Sequence, residues 1–330
     1  MKLKLEVFPG DFGLPSMDFD CLRTILFCKI AKIDVEIAYR TNLLFNKVPC
    51  LKEASSGKIL GNSFFSIINY FRENSFLFSK NEVTSLSQAS SSGNGHNNVS
   101  NMFITGAEQF CISMQQDLKP ALLQVWWRDE DNYNEFLRAW FAEKFPFPLN
   151  FFWPRYLRDK AISEFLSLVP IQIDNNNADK VEKQVLDSAS GYIRTLSKYF
   201  ILIKPSSYLL GDKPSIADIN LLSYLLMFHR SPCKNQQIKQ IIAENEAILK
   251  YIEKSAERYL VDAPGLGSKD PYGSKLEDSM KLKTKDLIFS SAFAVAAMIF
   301  FAVTHGIVSI GKSNDNSQYD NDDGNDEVED

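Results

Sequence analysis

The side chains best suited to chemistry are few and scattered. Ser16 and Cys21 are the hydroxyl and thiol nearest the end of the first apolar stretch, Lys2 to Phe8. Ser16 stands two residues before Asp18, a spacing that also suits a residue opening a helix as its cap. Ser63 precedes another apolar run, and the amides of a helix starting there would hold a carboxylate. The five cysteines (Cys21, Cys28, Cys50, Cys111 and Cys233) are odd in number and contain no Cys-x-x-Cys pair. That usage points to reduced, buried thiols in a cytosol-facing protein. Cys21 and Cys28 share one expected helix, about 10 Å apart along its axis at ~1.5 Å per residue, too far for a disulfide. The three histidines are far apart, and none is paired with cysteine or carboxylate at ligand spacing, so no metal is expected.

Two longer runs carry more information. PFPLNFFWPRYLR sets Phe147, Phe151, Phe152, Trp153 and Tyr156 beside Arg155 and Arg158. Pro146, Pro148 and Pro154 should interrupt any helix through it, because proline loses a backbone donor and clashes with the preceding turn. Two readings stand: irregular core, or a partner-docking face, since aromatics beside arginine are typical interface anchors. The second run is GDKPSIADINLLSYLLMF, Gly211 to Phe228. Ser215 and Asp218 have capping-box spacing, and beyond them only Asn220 and Ser223 are plainly polar. A helix that is apolar on all sides is normally buried in its domain.

Elements that would position these residues follow from periodicity. Lys2 to Phe8 alternates as a strand with one buried face. Leu22, Ile25, Leu26, Ile30 and Ile33 recur at helical spacing, and Asp34 to Tyr39 resembles a second strand. After Val48-Pro49 come a short apolar run, a Ser-Ser-Gly-Lys turn, the pair Ile59-Leu60 and a helix from about Asn62 to Arg72. Strand, helix, strand, then two strands and a helix is the order of a thioredoxin-type half. Residues 79–101, rich in Ser, Asn and Gly, are expected to be a linker separating domain 1–78 from an all-helical domain 102–261. Its helices are expected at Phe103 to Trp127, Asn132 to Phe145, Ala178 to Phe200, the Gly211 run, and Gln236 to about Tyr259.

Further on, 262–286 reads as a second linker with a basic flank. Leu287 to Ile310 runs 24 residues without a formal charge. At ~1.5 Å per residue that is long enough for a ~30 Å hydrocarbon core. Lys281, Lys283 and Lys285 just before it would stay on the cytosolic side, which predicts a tail-anchored chain with an acidic, disordered tail at 311–330. The moderate hydrophobicity of the span and its lysine flank favour the mitochondrial outer membrane. A start without a long apolar core speaks against a secretory signal. Apolar content of 45% and charged content of 23% are globular values. The net charge of -5 lacks the basic footprint that a nucleic-acid reader needs.

GDKPSIAD (Gly211 to Asp218) resembles the start of the central helix in the glutathione transferase superfamily. GDFGLPSMDFD (Gly10 to Asp20), the Val48-Pro49 strand entry and above all KFPFPLNFFWP (Lys144 to Pro154) resemble the metaxin family, of the type with a C-terminal membrane anchor. The resemblance implies a thioredoxin-like N-terminal domain, an all-α C-terminal domain and a transmembrane helix. It implies a non-enzymatic, cofactor-free subunit of the mitochondrial outer-membrane sorting and assembly machinery. Its partners would be a second metaxin, the β-barrel insertase and precursor proteins. An outer-membrane adaptor recruiting cytosolic machinery for mitochondrial transport or positioning is one alternative. A membrane-anchored glutathione-dependent transferase is the other, and in that fold Ser16 or Cys21 would have to activate the thiol. Pro49 would then present backbone groups to the peptide and Ser63 hold its carboxylate, although Asn62 stands where an acidic residue or glutamine is usual.

Overall fold

The computed structural model describes residues 2–41, 47–74, 98–145, 148–169, 177–203, 208–211, 213–234, 237–260 and 284–305. They fall into two units, Met1–Lys281 and Leu282–Asp330. The first opens with strand β1 (Leu3–Val7), helix α1 (Phe19–Ile30) and strand β2 (Glu36–Tyr39). Strands β3 (Cys50–Glu53) and β4 (Ile59–Gly61) and helix α2 (Phe64–Glu73) follow. Leu5 lies opposite Ile37 on the parallel side and Leu51 on the antiparallel side, giving the order β2-β1-β3-β4. Leu3, Leu5 and Val7 are buried as the alternation demands. The thioredoxin-like half is therefore present, and the Val48-Pro49 peptide bond in it is cis.

Glu6 breaks the polar-out rule. It is buried, and its carboxylate meets Arg40 Nη2 at 2.5 Å and Lys52 Nζ at 2.8 Å. The charge is neutralised from both neighbouring strands, the condition under which a carboxylate stays ionised in a core.

The remaining described residues of the unit are mostly helical. It comprises α3 (Asn98–Leu123), two π-helical segments (Gln124–Arg128 and Tyr133–Leu137) around a single turn, α4 (Arg138–Lys144) and α5 (Leu149–Leu168). Then come α6 (Ala178–Ile203), α7 (Ile216–His229), α8 (Gln237–Glu244) and α9 (Glu246–Tyr259). Every residue of α7 from Ala217 to Phe228 is buried, and it packs against α3 and α1. Ser223 and Asn220 on it are matched. Ser223 Oγ donates to Ile219 O at 2.8 Å, Asn220 Nδ2 donates to Cys111 Sγ at 3.2 Å, and Arg23 Nη1 donates to Asn220 Oδ1 at 3.4 Å. The Ser215/Asp218 capping box forms with both bonds present.

Asp218 does more than cap. Its Oδ2 accepts from Ser215 N (2.9 Å) and Ser215 Oγ (2.7 Å), and its Oδ1 accepts from Leu209 N (2.8 Å) and Tyr251 OH (3.3 Å). One buried carboxylate thus ties the loop before α7, the cap itself and α9 together. Burial raises its pKa, against the pull of those donors.

Three expectations need correction. Pro154 does not interrupt the aromatic run: α5 continues from Leu149 to Leu168 with the proline inside it and buried. As the sixth residue it forfeits one bond of the ladder, while its ring is buried in the core. The helix expected from Gln236 to about Tyr259 is two, because Asn245 leaves helical geometry between α8 and α9, at the N-cap position of the latter but without a side-chain cap bond. Asp18, not Ser16, caps α1, accepting from Cys21 N at 2.8 Å.

The second unit contains helix α10, Thr284–Thr304. Phe293, Met298, Ile299, Phe300 and Phe301 on it are exposed. Among the described residues no helix is long and apolar enough to cross a membrane. The expected span, Leu287 to Ile310, runs past residue 305 and out of the described residues, as do most of both linkers and the acidic tail.

Candidate functional site

Residues 8–17, between β1 and α1, are where a thiol-activating group would sit, and the structure closes that loop over. Phe8 stacks on Phe141 with ring centroids 5.3 Å apart and also meets Phe145 at 5.6 Å and Trp140 at 6.0 Å. Phe12 packs edge-on to Phe136 at 5.3 Å. Trp140 Nε1 donates to Asp11 Oδ2 at 3.1 Å, and Arg230 donates to the carbonyl of Gly13. Pairs of this kind add ~0.5–1.5 kcal/mol each beyond the area they bury. The segment from Tyr133 to Phe145 is therefore an aromatic plug on the first loop. The loop is shaped to receive it: a Cβ on Gly10 would lie 2.1 Å from Leu14 O, while Phe12 and Gly13 sit at φ 55° and 77°. The close approach at residue 10 admits only glycine.

The candidates for thiol chemistry are placed accordingly. Ser16 is 0% exposed, and its Oγ accepts from Asp18 N at 3.2 Å. Cys21 is equally buried, its Sγ accepting from Phe8 N at 3.4 Å. Burial raises its pKa well above the ordinary thiol value, with the Asp18 carboxylate adding to the shift. A thiol so held stays protonated and inert. Ser63 caps α2, but with Ser66: Ser66 N donates to Ser63 Oγ at 3.3 Å, and Ser66 Oγ takes the amides of Asn62 and Ser63 at 3.0 Å each. Those two donors would otherwise face a ligand carboxylate. The partnership had a sequence signal, a serine at N3 where a glutamate usually stands. Ser16 is thus closed off from solvent, and the Ser63 cap is satisfied within α2.

The aromatic run divides between the two readings it allowed. Trp153 is half-buried, packing on Phe145 at 6.1 Å and Tyr156 at 5.0 Å. Phe151, Phe152 and Tyr156 are 63%, 67% and 55% exposed, with Arg155 beside them and only a long pairing, 3.9 Å, to Asp159. Phe147 lies outside the described residues. Arg158 serves the fold: it donates to Trp127 O at 3.0 Å and to Glu130 at 2.6 Å and covers the Tyr133 ring. What remains is an exposed apolar and cationic edge at the start of α5. Among the described residues no group of side chains could hold a metal ion.

A groove of about 690 Å³ opens beside the plug, between the first loop, the end of α3 and one face of α5. Trp126 and Trp127 line it together, placed by the π-helical turn that follows α3. Periodicity did not reveal this groove, because its walls come from three distant stretches.

Comparison with known proteins points to one family. Residues 21–158 match the family described as outer mitochondrial membrane transport complex protein. Metaxin-1 of Mus musculus is 23% identical over 317 residues, covering 94% of this chain and 92% of the relative. The chain is similar to metaxins over most of its length. Metaxin-3 of Danio rerio is 22% identical over 261 residues, 79% of this chain and 77% of the relative. Among solved structures, the glutathione S-transferase of Ceriporiopsis subvermispora in complex with glutathione superposes with a TM-score of 0.51 at 11% identity. It covers 79% of this chain and 99% of the transferase, which establishes a shared fold.

Proposed function

We propose that this chain is a metaxin and works without catalysis, as a subunit of the mitochondrial outer-membrane machinery that sorts imported proteins and inserts β-barrels. The observation that carries the non-catalytic part is the plug: Trp140, Phe141 and Phe145 cover the loop that would have to activate a thiol. The membrane and complex follow from the family description, outer mitochondrial membrane transport complex protein. The anchor is Leu287 to Ile310, its length supported by 24 residues without a formal charge and its setting by the exposed apolar side chains of α10. The folded part then faces the cytosol. Phe151, Phe152, Arg155 and Tyr156 form the docking edge for a second metaxin, and the body receives precursors near the barrel insertase.

Depletion followed by rescue tests this reading. Loss of the chain should lower the assembly of newly imported barrel proteins, and full-length protein should restore it. Normal barrel assembly with altered mitochondrial distribution would instead favour the adaptor reading.

A further inference from the structure

We infer that the C-terminal tip of α6, Ile201 and Leu202, dips into the interface of the bilayer that holds the anchor, so that the body rests on the lipid surface by one defined end. The inference rests on the anchor reading of Leu287 to Ile310 above. Ile201 is 67% and Leu202 82% exposed, and Leu202 is the most exposed large apolar side chain among the described residues. Two side chains fall far short of the ~800 Å² per partner that a stable protein interface buries. A lipid interface, in contrast, takes up a shallow apolar tip of any outline.

The chain leaves the body beside this tip. Gln237, at the start of α8, donates to Asp187 on α6 at 3.3 Å, and Phe200, near the end of α6, packs on Tyr251 of α9 with ring centroids 4.8 Å apart. Beyond the ends of α6 and at the end of α9, the hydroxyls of Tyr208 and Tyr259 meet at 3.2 Å. The helix α6 and the pair α8 and α9 therefore run side by side in the same direction, and their C-terminal ends lie together. From Leu260 the sequence leads through 262–286 to the anchor. A coil of that length spans about 30 Å, less than the ~39 Å that α6 covers at ~1.5 Å per residue. The tether therefore favours the C-terminal end of α6 as the one turned to the lipid.

The surroundings of the tip suit a headgroup layer. Tyr199, Tyr208 and Tyr259 are half-buried around it, Tyr199 OH donating to Leu209 O at 2.7 Å and Arg258 Nη1 to Tyr208 OH at 3.3 Å. Tyrosines with an apolar ring and a bonded polar end settle at membrane–water interfaces. Lys198, one turn before Leu202, and Arg258 are exposed cations there, against Glu257, a balance that suits anionic lipid. Two side chains alone would hold a free body only briefly, but the anchor makes the contact intramolecular and so raises the effective concentration of lipid at the tip.

The test uses full-length protein in liposomes of phosphatidylcholine and phosphatidylinositol. In a Cys111→Ser background, which removes the one cysteine that is not buried, a nitrobenzoxadiazole probe is attached to Leu202→Cys. The control carries it on Lys183→Cys, an exposed position about 28 Å back along α6. Phosphatidylcholine with a nitroxide on its acyl chain should quench the probe at position 202 about twofold or more, as expected for a side chain ~5–10 Å into the interface, and leave the probe at position 183 nearly unchanged. Ile201→Asp, also at an exposed position, should bring quenching at position 202 down to the level at position 183. Equal quenching at the two positions, in protein that floats with the liposomes, overturns the tip assignment and leaves the anchor standing. So does a probe at position 202 that is shielded from aqueous iodide yet untouched by nitroxide lipid, because protein then covers the tip. Full-length protein that does not float with the liposomes removes the anchor reading and this inference with it.

Discussion

The indole of Trp140 donates to the carboxylate of Asp11 at 3.1 Å across 129 residues, joining the aromatic plug to the loop it covers. Both groups are buried. Trp140→Phe keeps the ring packing on Phe8 but leaves one carboxylate oxygen without this donor. The expected loss is about 1–3 kcal/mol, read as a lower urea midpoint with an unchanged slope.

The plug also predicts thiol behaviour. Burial pushes the Cys28 and Cys233 thiols up to about 12 and raises Cys21 and Cys50 as well. Cys111 is the one cysteine of the five that is not buried. Maleimide labelling of native protein near neutral pH should modify Cys111 first, with the others reacting only on unfolding. Rapid labelling of Cys21 would mean that the first loop opens and that a thiolate is available there.

Asp218 gathers donors from three elements, so its loss should exceed that of an ordinary cap. Ser215→Ala is expected to cost about 0.5–2 kcal/mol, the usual range for an N-cap. Asp218→Ala strands the buried Leu209 amide as well and leaves the Tyr251 hydroxyl only the residue-218 carbonyl, at 3.4 Å, at about 1–3 kcal/mol for an unsatisfied group. Urea unfolding of the two variants side by side checks the ranking, and equal losses would contradict it.

Glu6 sets an acid limit on the sheet. Burial alone would raise its pKa, but hydrogen bonds from Lys52 and Arg40, with their charges, bring it below the ordinary carboxylate value. Its folded pKa is therefore lower than its unfolded one. The stability it contributes is present above the unfolded value, near 4.5, and is lost as pH falls through the folded value. Between pH 6 and pH 3 the wild type should lose more stability than Glu6→Gln. Parallel slopes would show that the Glu6 cluster does not titrate with folding.

Much of this was legible in the sequence, and the remainder was hidden for physical reasons. Alternation in Lys2 to Phe8, the capping box at Ser215 and Asp218, and the all-round apolar α7 are local patterns, and each sits where those patterns placed it. Partnerships between distant stretches leave no such trace. Nothing in the spacing of Trp140 or Phe141 says that they close on Phe8, nor that Trp126 shares a groove with Ser163. Pro154 misled because its local rule counts the lost hydrogen bond and not the burial of its ring in the core. Asn245 broke a stripe of isoleucines whose period ran unbroken through it.

In the proposed role, a plugged, non-catalytic body is held at the cytosolic face of the mitochondrial outer membrane. The most direct test is a tagged full-length chain and a version ending before Leu287, imaged in cells and then treated with protease on isolated mitochondria. Full-length protein is expected to coat mitochondria and lose its body to external protease, while the shortened chain becomes diffuse. A body protected from protease, or a chain resident on another membrane, would contradict the account.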